Sequence, residues 1–187
     1  MKRLLFASFF AGALIVAVAA TAAVAHRDNG KGKARLDSYQ ETPMTLATTG
    51  TGSFRIRVRS DGLHYTLRYQ DLESDAAQAH IHLGQRGLSG GVIAFLCGGA
   101  PPASDKPACP AREGTVEGVI DATDIIGPAG QGIAAGEIRT VIRALRKGAV
   151  YANVHTATFT GGEIRGQVSH DEGHNGKGKD DRKDSKR

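Results

Sequence analysis

The sequence has few of the residues that build a large aromatic core. It contains no tryptophan, and aromatic residues make up 5% of its 187 residues. It has only two methionines and two cysteines but 25 glycines. A glycine at every third position, a heptad pattern and a series of long apolar spans are all missing. Their absence excludes, respectively, a collagen, a coiled coil and a multi-pass membrane protein. Phosphate-binding glycine loops, EF-hand loops and N-glycosylation sequences are also absent. The composition therefore favours one domain of short strands and many turns.

The first 25 residues have the pattern of a secretory signal peptide. Lys2 and Arg3 precede an apolar run, and Ala23-Val24-Ala25 provides the small side chains that a signal peptidase requires. The alternative is an uncleaved anchor, because residues 4–25 are just long enough to span a bilayer. We expect a secreted or periplasmic protein without stable membrane insertion after cleavage. Its predicted segments are a signal peptide (1–25), a flexible basic linker (26–34), a folded domain (35–169) and a disordered charged tail (170–187).

The net charge of +5 is concentrated at the two ends of the chain. Residues 36–170 carry 12 basic and 13 acidic side chains, so the expected folded domain is nearly neutral. A nucleic-acid-binding protein needs a basic surface on its folded part to neutralise phosphates. We therefore expect no nucleic-acid partner.

Alternating apolar and polar residues predict a β-hairpin in the first half of the domain. Phe54, Ile56 and Val58 alternate with arginines, and the alternation resumes after the turn signal Asp61-Gly62. Residues 52–59 and 63–70 should therefore pair as antiparallel strands. Further strands are predicted at 79–83, 92–96, 114–120, 150–155 and 163–168, and an amphipathic helix at 137–147. The predicted fold is mainly β: an antiparallel β-sandwich, immunoglobulin-like or superoxide-dismutase-like with a Greek key, and one short amphipathic helix.

The two cysteines predict a disulfide. Cys97 and Cys109 follow a secretory signal, and an even number of cysteines in an extracytoplasmic chain favours a disulfide bond. The alternative is a thiolate pair for metal or redox chemistry, but the spacing is too long for a C-x-x-C motif.

Several short motifs together resemble the CHRD domain, which is named after the extracellular protein chordin and also occurs in secreted microbial proteins. The resemblance covers about residues 34–168 and implies an extracytoplasmic β-sandwich, but it implies no particular chemistry. The first motif departs from the family, whose members tend to have E-V-P-P where this chain has Glu41-Thr42-Pro43-Met44. The motifs are Gln40-Glu41-Thr42-Pro43, Thr49-Gly50-Thr51-Gly52, Ala79-His80-Ile81-His82, Tyr151-Ala152-Asn153-Val154-His155-Thr156 and Gly162-Glu163-Ile164-Arg165-Gly166-Gln167.

Three histidines form the candidate metal site. His80 and His82 are two residues apart on a predicted strand, so both face the same side of the sheet while Ile81 faces the core. If the strand that ends at His155 is a neighbour, three imidazoles converge, and this donor set suits copper or zinc. An H-x-H pair on a β-sandwich also resembles copper–zinc superoxide dismutases in architecture alone.

The alternative to metal binding is a structural network of hydrogen bonds. Asn153, His155, Thr156, Glu163 and Arg165 are polar residues around the same predicted strand ends. Buried imidazoles usually have hydrogen-bond partners, and Glu163 and Arg165 are candidates to pair with His80 or His82.

Two further patterns have ordinary explanations. Gly87-Leu88-Ser89-Gly90-Gly91 matches the G-x-S-x-G string of serine hydrolases, but a predicted strand follows it instead of a helix, which favours a turn. Arg55, Arg57 and Arg59, with Arg68, form a basic stripe that is either a solvated face or a contact for a polyanion. We expect a non-enzymatic binding or structural module whose partner is an extracytoplasmic protein or a polyanionic surface, with a copper- or zinc-binding protein as the alternative.

Overall fold

A computed structural model describes residues 30–101 and 104–171 of the chain. The predicted signal peptide lies outside these residues, as does most of the predicted tail. Within them, no helix has the length and apolar character needed to cross a membrane. The strands and the α-helix of the described part are β1 (Lys31–Asp37), β2 (Thr51–Arg59), β3 (Gly62–Gln70), β4 (Ala76–Leu83), β5 (Val92–Gly98), β6 (Gly114–Ile120), α1 (Ile138–Arg146), β7 (Val150–Thr156), β8 (Ile164–Gln167) and β9 (Ser169–Asp171).

The strands form one antiparallel sheet in the order β5-β4-β7-β8-β1-β2-β3-β6, and β9 pairs with β1. The sheet curves until its edge strands β5 and β6 approach each other. The Tyr65 hydroxyl of β3 donates a hydrogen bond of 2.6 Å to the Leu96 carbonyl of β5, across the interior. The fold is therefore mainly β and antiparallel with one helix, as predicted, but it is a nearly closed, barrel-like sheet and not clearly a sandwich. Alternation shows which side chains face inward, but it does not show which strands are neighbours.

The predicted hairpin of β2 and β3 is confirmed. Every residue of β2 pairs with one of β3, from Thr51 with Gln70 to Arg59 with Gly62. Phe54 and Ile56 face the core and are at most 3% exposed, and the Phe54 ring stacks on that of Tyr65 at 6.4 Å. Period-two alternation therefore positions one wall of the core, because only inward-facing positions are apolar.

Strand β1 corrects the prediction of a flexible linker over residues 26–34. Residues 31–34 lie in β1, which pairs with β2 along its whole length. The strand was missed because two of its three inward-facing residues, Gly32 and Ala34, are small. A Cβ atom on Gly32 would lie 2.6 Å from Val168 Cγ1, so the close packing at this position requires glycine. The predicted tail likewise begins too early, since His170 and Asp171 belong to β9.

The predicted disulfide between Cys97 and Cys109 is present, with 5.0 Å between the two Cα atoms. It joins β5 to the segment before β6, so it links the two edges of the curved sheet. Such a bond fits an extracytoplasmic location. Helix α1 also forms as predicted, and it buries Val141 and Leu145 on one side.

Candidate functional site

The three histidines of the predicted site come together on two neighbouring strands. β4 and β7 pair antiparallel, with His80 opposite Asn153 and His82 opposite Tyr151. His155 lies two residues beyond Asn153 and therefore faces the same side of the sheet. The pairing of β4 with β5 shifts register between Ala79 and His80 and again between Ile81 and His82. Such bulges re-aim side chains and are common beside functional sites.

The three imidazoles have the spacing of a metal-ligand set. One nitrogen from each of His80, His82 and His155 lies within 4.8 Å of the other two. His80 Nδ1 is 3.2 Å from His155 Nε2, and in the metal-free protein this contact is a hydrogen bond between the two rings. Two nitrogens that bind one ion at about 2.0–2.1 Å each lie about 3.3 Å apart in a tetrahedral site. The His80–His155 pair already has that separation, and His82 needs to move inward by no more than about 1.5 Å to match it.

Backbone carbonyls fix the orientation of two of the rings. His82 Nδ1 donates a hydrogen bond of 3.0 Å to the Gly90 carbonyl, and His155 Nδ1 donates one of 2.9 Å to the Thr160 carbonyl. Because a carbonyl only accepts hydrogen bonds, the proton lies on Nδ1 in both rings and the lone pair lies on Nε2. This arrangement, in which the second ring nitrogen is held by an outer acceptor, is usual for histidines that bind metals.

Aromatic and cationic side chains pack tightly around the cluster. The Phe95 ring lies edge-on to His80 at 4.4 Å, and Tyr151 stacks on His82 at 4.7 Å with 5° between the ring planes. Arg165 lies over the other side of Tyr151, with its guanidinium carbon 3.5 Å from the ring centroid. Arg165 also donates a hydrogen bond of 2.7 Å to the Leu88 carbonyl. The His82 ring is therefore held from one side by a stack of tyrosine and arginine.

Burial keeps the rings neutral. His80, His82 and His155 are 3%, 7% and 7% exposed. Loss of hydration lowers the pKa of His80 to about 3 and that of His82 to about 4, and the neighbouring histidines contribute to both shifts. The pKa of His155 is also lowered by burial, although its hydrogen bond to Thr160 opposes the shift. Neutral imidazole is the form that binds metal ions, so the apo site needs no deprotonation at neutral pH.

A buried carboxyl group lies beside the cluster. Glu41 is 5% exposed, and desolvation raises its pKa to about 7 although the positive charge of Arg165 lowers it in part. The Glu41 carboxyl and the Asn153 amide both lie against Gly162. A Cβ atom on Gly162 would lie 2.9 Å from Glu41 Oε1 and 2.7 Å from Asn153 Oδ1. Glycine is required here because of this close approach and the φ of 124°.

Four polar atoms of this region are buried without a hydrogen-bond partner in the described part of the chain. Unpartnered buried polar atoms are rare and usually have a specific explanation, such as a bound ion or water. In His82 the unpartnered atom is the nitrogen that carries the lone pair. The four atoms are Glu41 Oε1, His80 Nε2, His82 Nε2 and Asn153 Oδ1.

The predicted polar network divides into two separate groups. Glu163 does not hydrogen-bond to His80 or His82, because its Oε2 accepts from the Thr156 hydroxyl at 2.8 Å and its Oε1 from the Glu73 amide at 2.9 Å. Arg165 belongs to the other group, through Tyr151 and the loop after β4. The expectation that Glu163 pairs with these histidines is therefore wrong. The prediction placed Glu163 and Arg165 on the same face of one strand. β8 begins only at Ile164, so Glu163 lies before the strand and the rule for strand faces does not apply to it.

Ser89 is not placed as a hydrolase nucleophile. It lies in the loop between β4 and β5, where its hydroxyl is 3.0 Å from that of Thr42. The same loop supplies the Gly90 carbonyl, which accepts hydrogen bonds from His82 and from the Tyr151 hydroxyl. Glu41, Gly90 and Tyr151 also belong to the site, although they were not predicted as site residues. The motifs that carry the CHRD resemblance contain Glu41 and Tyr151 and were the available signal for both.

The comparisons with known proteins agree with those motifs. A family model described as "CHRD domain" matches residues 33–168, which include every strand except the first two residues of β1 and the whole of β9. No curated protein and no solved structure matches the chain. Because the family model covers well over half of the sequence, the chain belongs to the CHRD domain family.

Proposed function

We propose that this CHRD domain is an extracytoplasmic, non-enzymatic module that binds one Cu(II) or Zn(II) ion through His80, His82 and His155. The observation that carries the proposal is the convergence of three neutral imidazoles, two of them oriented by backbone carbonyls so that their lone pairs lie on Nε2. Imidazole nitrogens are good ligands for copper and zinc, and copper binds such sites more strongly.

The unpartnered atoms support this donor set. A metal ion would satisfy His82 Nε2, which otherwise is buried with a lone pair and no donor. The cluster has hydrogen bonds of its own, between His80 and His155 and to two carbonyls, but it leaves Nε2 of His80 and of His82 without a partner, whereas both carboxylate oxygens of Glu163 are hydrogen-bonded. The unpartnered ring nitrogens of His80 and His82 therefore support a ligand site at the cluster.

The enclosure of the cluster favours binding over catalysis. Three histidines leave the fourth position of a tetrahedral ion unfilled, as in catalytic zinc sites, but a catalytic site also exposes that position to substrate. The three rings are almost fully buried under Phe95, Tyr151 and the loop that contains Gly90. We therefore expect the ion to be held and not to turn over substrate.

Metal analysis of the purified full chain tests the proposal. The protein is stripped with a chelator, reloaded with Cu(II) or Zn(II), and freed of unbound metal by gel filtration. We expect about one ion per chain and an electron paramagnetic resonance spectrum of the Cu(II) form that shows nitrogen ligands. His82→Gln and His155→Gln should each lose bound metal, and circular dichroism should show that both variants fold.

His64→Gln is the matched control, because His64 is a partly exposed histidine that bonds to Asp61, outside the cluster. It should bind metal as the wild type does. A second control removes His170 and His174, which lie at or beyond the last strand. If His82→Gln and His155→Gln keep the wild-type metal content, or if the wild type binds no metal, the cluster is a structural network and the proposal is wrong.

A further inference from the structure

Three neighbouring strands present a surface of positive charge to solvent. The outward side chains of β1, β2 and β3 include Lys31, Lys33, Arg55, Arg57, Arg59 and Arg68, all of them exposed. Lys31 and Lys33 were predicted to lie in a flexible linker, but they belong to β1 and therefore to the folded surface. We call this surface the basic face.

The basic face contains like charges directly opposite each other. Lys31 pairs with Arg57, and Lys33 pairs with Arg55. Side chains opposite each other in an antiparallel pair lie about 4.5–5.5 Å apart at Cβ, and like charges there destabilise the sheet. Along β2 the arginines recur every second residue, about 6.7 Å apart. On its other side Lys31 lies opposite Asp171 of β9. The arginine row of β2 concentrates positive charge on the exposed surface, and such a concentration attracts anionic ligands.

Shallow grooves flank the arginine row. One is lined in part by Arg57, Arg59 and His64, and the other in part by Lys33 and Arg86, while Arg55 lines both. An extended anionic chain that lies across Arg55 can therefore place negative groups in both grooves. The one acidic side chain in the first groove is Glu117, which already accepts a hydrogen bond from Thr66.

We propose that the basic face binds an anionic polysaccharide, one that carries sulfate, phosphate or carboxylate groups. Charge complementarity defines the chemistry of the ligand. The large exposed apolar side chains of the described residues are Tyr39, Met44, Leu88 and Ile126, and none is on β1, β2 or β3. A face without apolar or aromatic anchors fits a hydrated polyanion better than a lipid bilayer. The extracytoplasmic location assumed above favours a polysaccharide over a nucleic acid.

Binding of fluorescent dextran sulfate to the full chain tests this inference, with uncharged dextran as the reference. We expect binding at about 50 mM salt that weakens steeply by about 200 mM, because counterions are released on association. The variant Arg55→Gln/Arg57→Gln/Arg59→Gln should lose affinity by about 100-fold. It should unfold at the same or a higher temperature than the wild type, because it removes the opposed like charges.

The matched control is Arg139→Gln/Arg143→Gln/Arg146→Gln, which removes the same number of charges from helix α1. It should keep affinity within about threefold of the wild type, since only the long-range field changes. Equal losses in the two variants would show binding to net charge alone and would overturn the inference. Full retention of affinity by the β2 variant would overturn it too. So would tighter binding to vesicles of phosphatidylglycerol than to dextran sulfate, which would indicate a membrane.

Discussion

Acidification of the metal-free protein should destabilise the fold through the buried histidines. In the folded chain, desolvation lowers the pKa of His80 to about 3 and that of His82 to about 4, from a value of 6.5. Below pH 6.5 the unfolded chain binds protons that the folded chain does not. The free energy of unfolding is therefore fully retained above pH 6.5 and falls as the pH drops toward the folded pKa values. His155 acts in the same direction, since burial also lowers its pKa.

Glu41 opposes this effect. Burial raises its pKa from 4.5 to about 7, so between these values the folded chain binds the extra proton and acidification stabilises the fold. From pH 8 to pH 5 each of the two histidines costs about 2 kcal/mol, and Glu41 returns about 2–3 kcal/mol. Because His155 adds a loss of the same sign, the wild type should lose at least about 1–2 kcal/mol. Glu41→Gln keeps a neutral side chain at all pH values, and this variant should lose at least about 4 kcal/mol.

Urea unfolding in the presence of a chelator, at pH 8 and at pH 5, measures these differences. Glu117→Gln is the control, because Glu117 is an exposed carboxylate on β6. This variant should follow the wild type. If the stability of Glu41→Gln is the same at both pH values, the rings are not held neutral by burial and the reasoning about the site fails. If Glu41→Gln loses the same stability between pH 8 and pH 5 as the wild type, the carboxyl of Glu41 is not protonated in the folded chain.

Three variants test the loop that orients His82, the disulfide and the packing of the core. Gly90→Ala would place a Cβ atom 1.6 Å from the Leu83 carbonyl oxygen, so the loop that orients His82 must shift. Zn(II) affinity, measured by competition with a chelator, should then fall by about 10- to 100-fold. Unchanged affinity would contradict the role of the Gly90 carbonyl. Removing the disulfide by Cys97→Ala/Cys109→Ala should lower the free energy of unfolding in urea by about 2–4 kcal/mol; no change would mean that the bond does not constrain the unfolded chain. Phe54→Ala empties a fully buried position and should cost about 3–5 kcal/mol in the same assay, and a cost under about 1 kcal/mol would show that the core collapses around the gap.

The sequence predicts those parts of the fold where large apolar residues alternate. The β2–β3 hairpin is an example, because Phe54 and Ile56 are inward-facing and follow a period of two. β1 has the same period, but its inward-facing residues include Gly32 and Ala34, whose small size gives little hydropathy signal. The packing that selects glycine involves Val168, which is distant in the sequence. A single sequence does not show that contact.

The candidate site was predicted only in part: its three histidines were identified from the sequence, but the groups that orient them were not. The H-x-H spacing places two rings on one side of a strand, and pairing of β4 with β7 brings His155 beside them. The acceptors that orient the rings are the carbonyls of Gly90 and Thr160, and any residue type has a carbonyl. Glu163 was assigned to the wrong group because the rule for strand faces applies only within a strand, and this residue lies just before β8.

The pairing of β1 with β9 brings the two ends of the folded domain together. Lys31 lies opposite Asp171 in this pair, so the chain enters and leaves the sheet at one place. A short connection there should join the two termini and allow new termini to be opened elsewhere, for instance in the loop between β5 and β6. It also means that the domain can be inserted into a surface loop of another protein, since the two ends of the inserted domain lie as close together as the two ends of an opened loop.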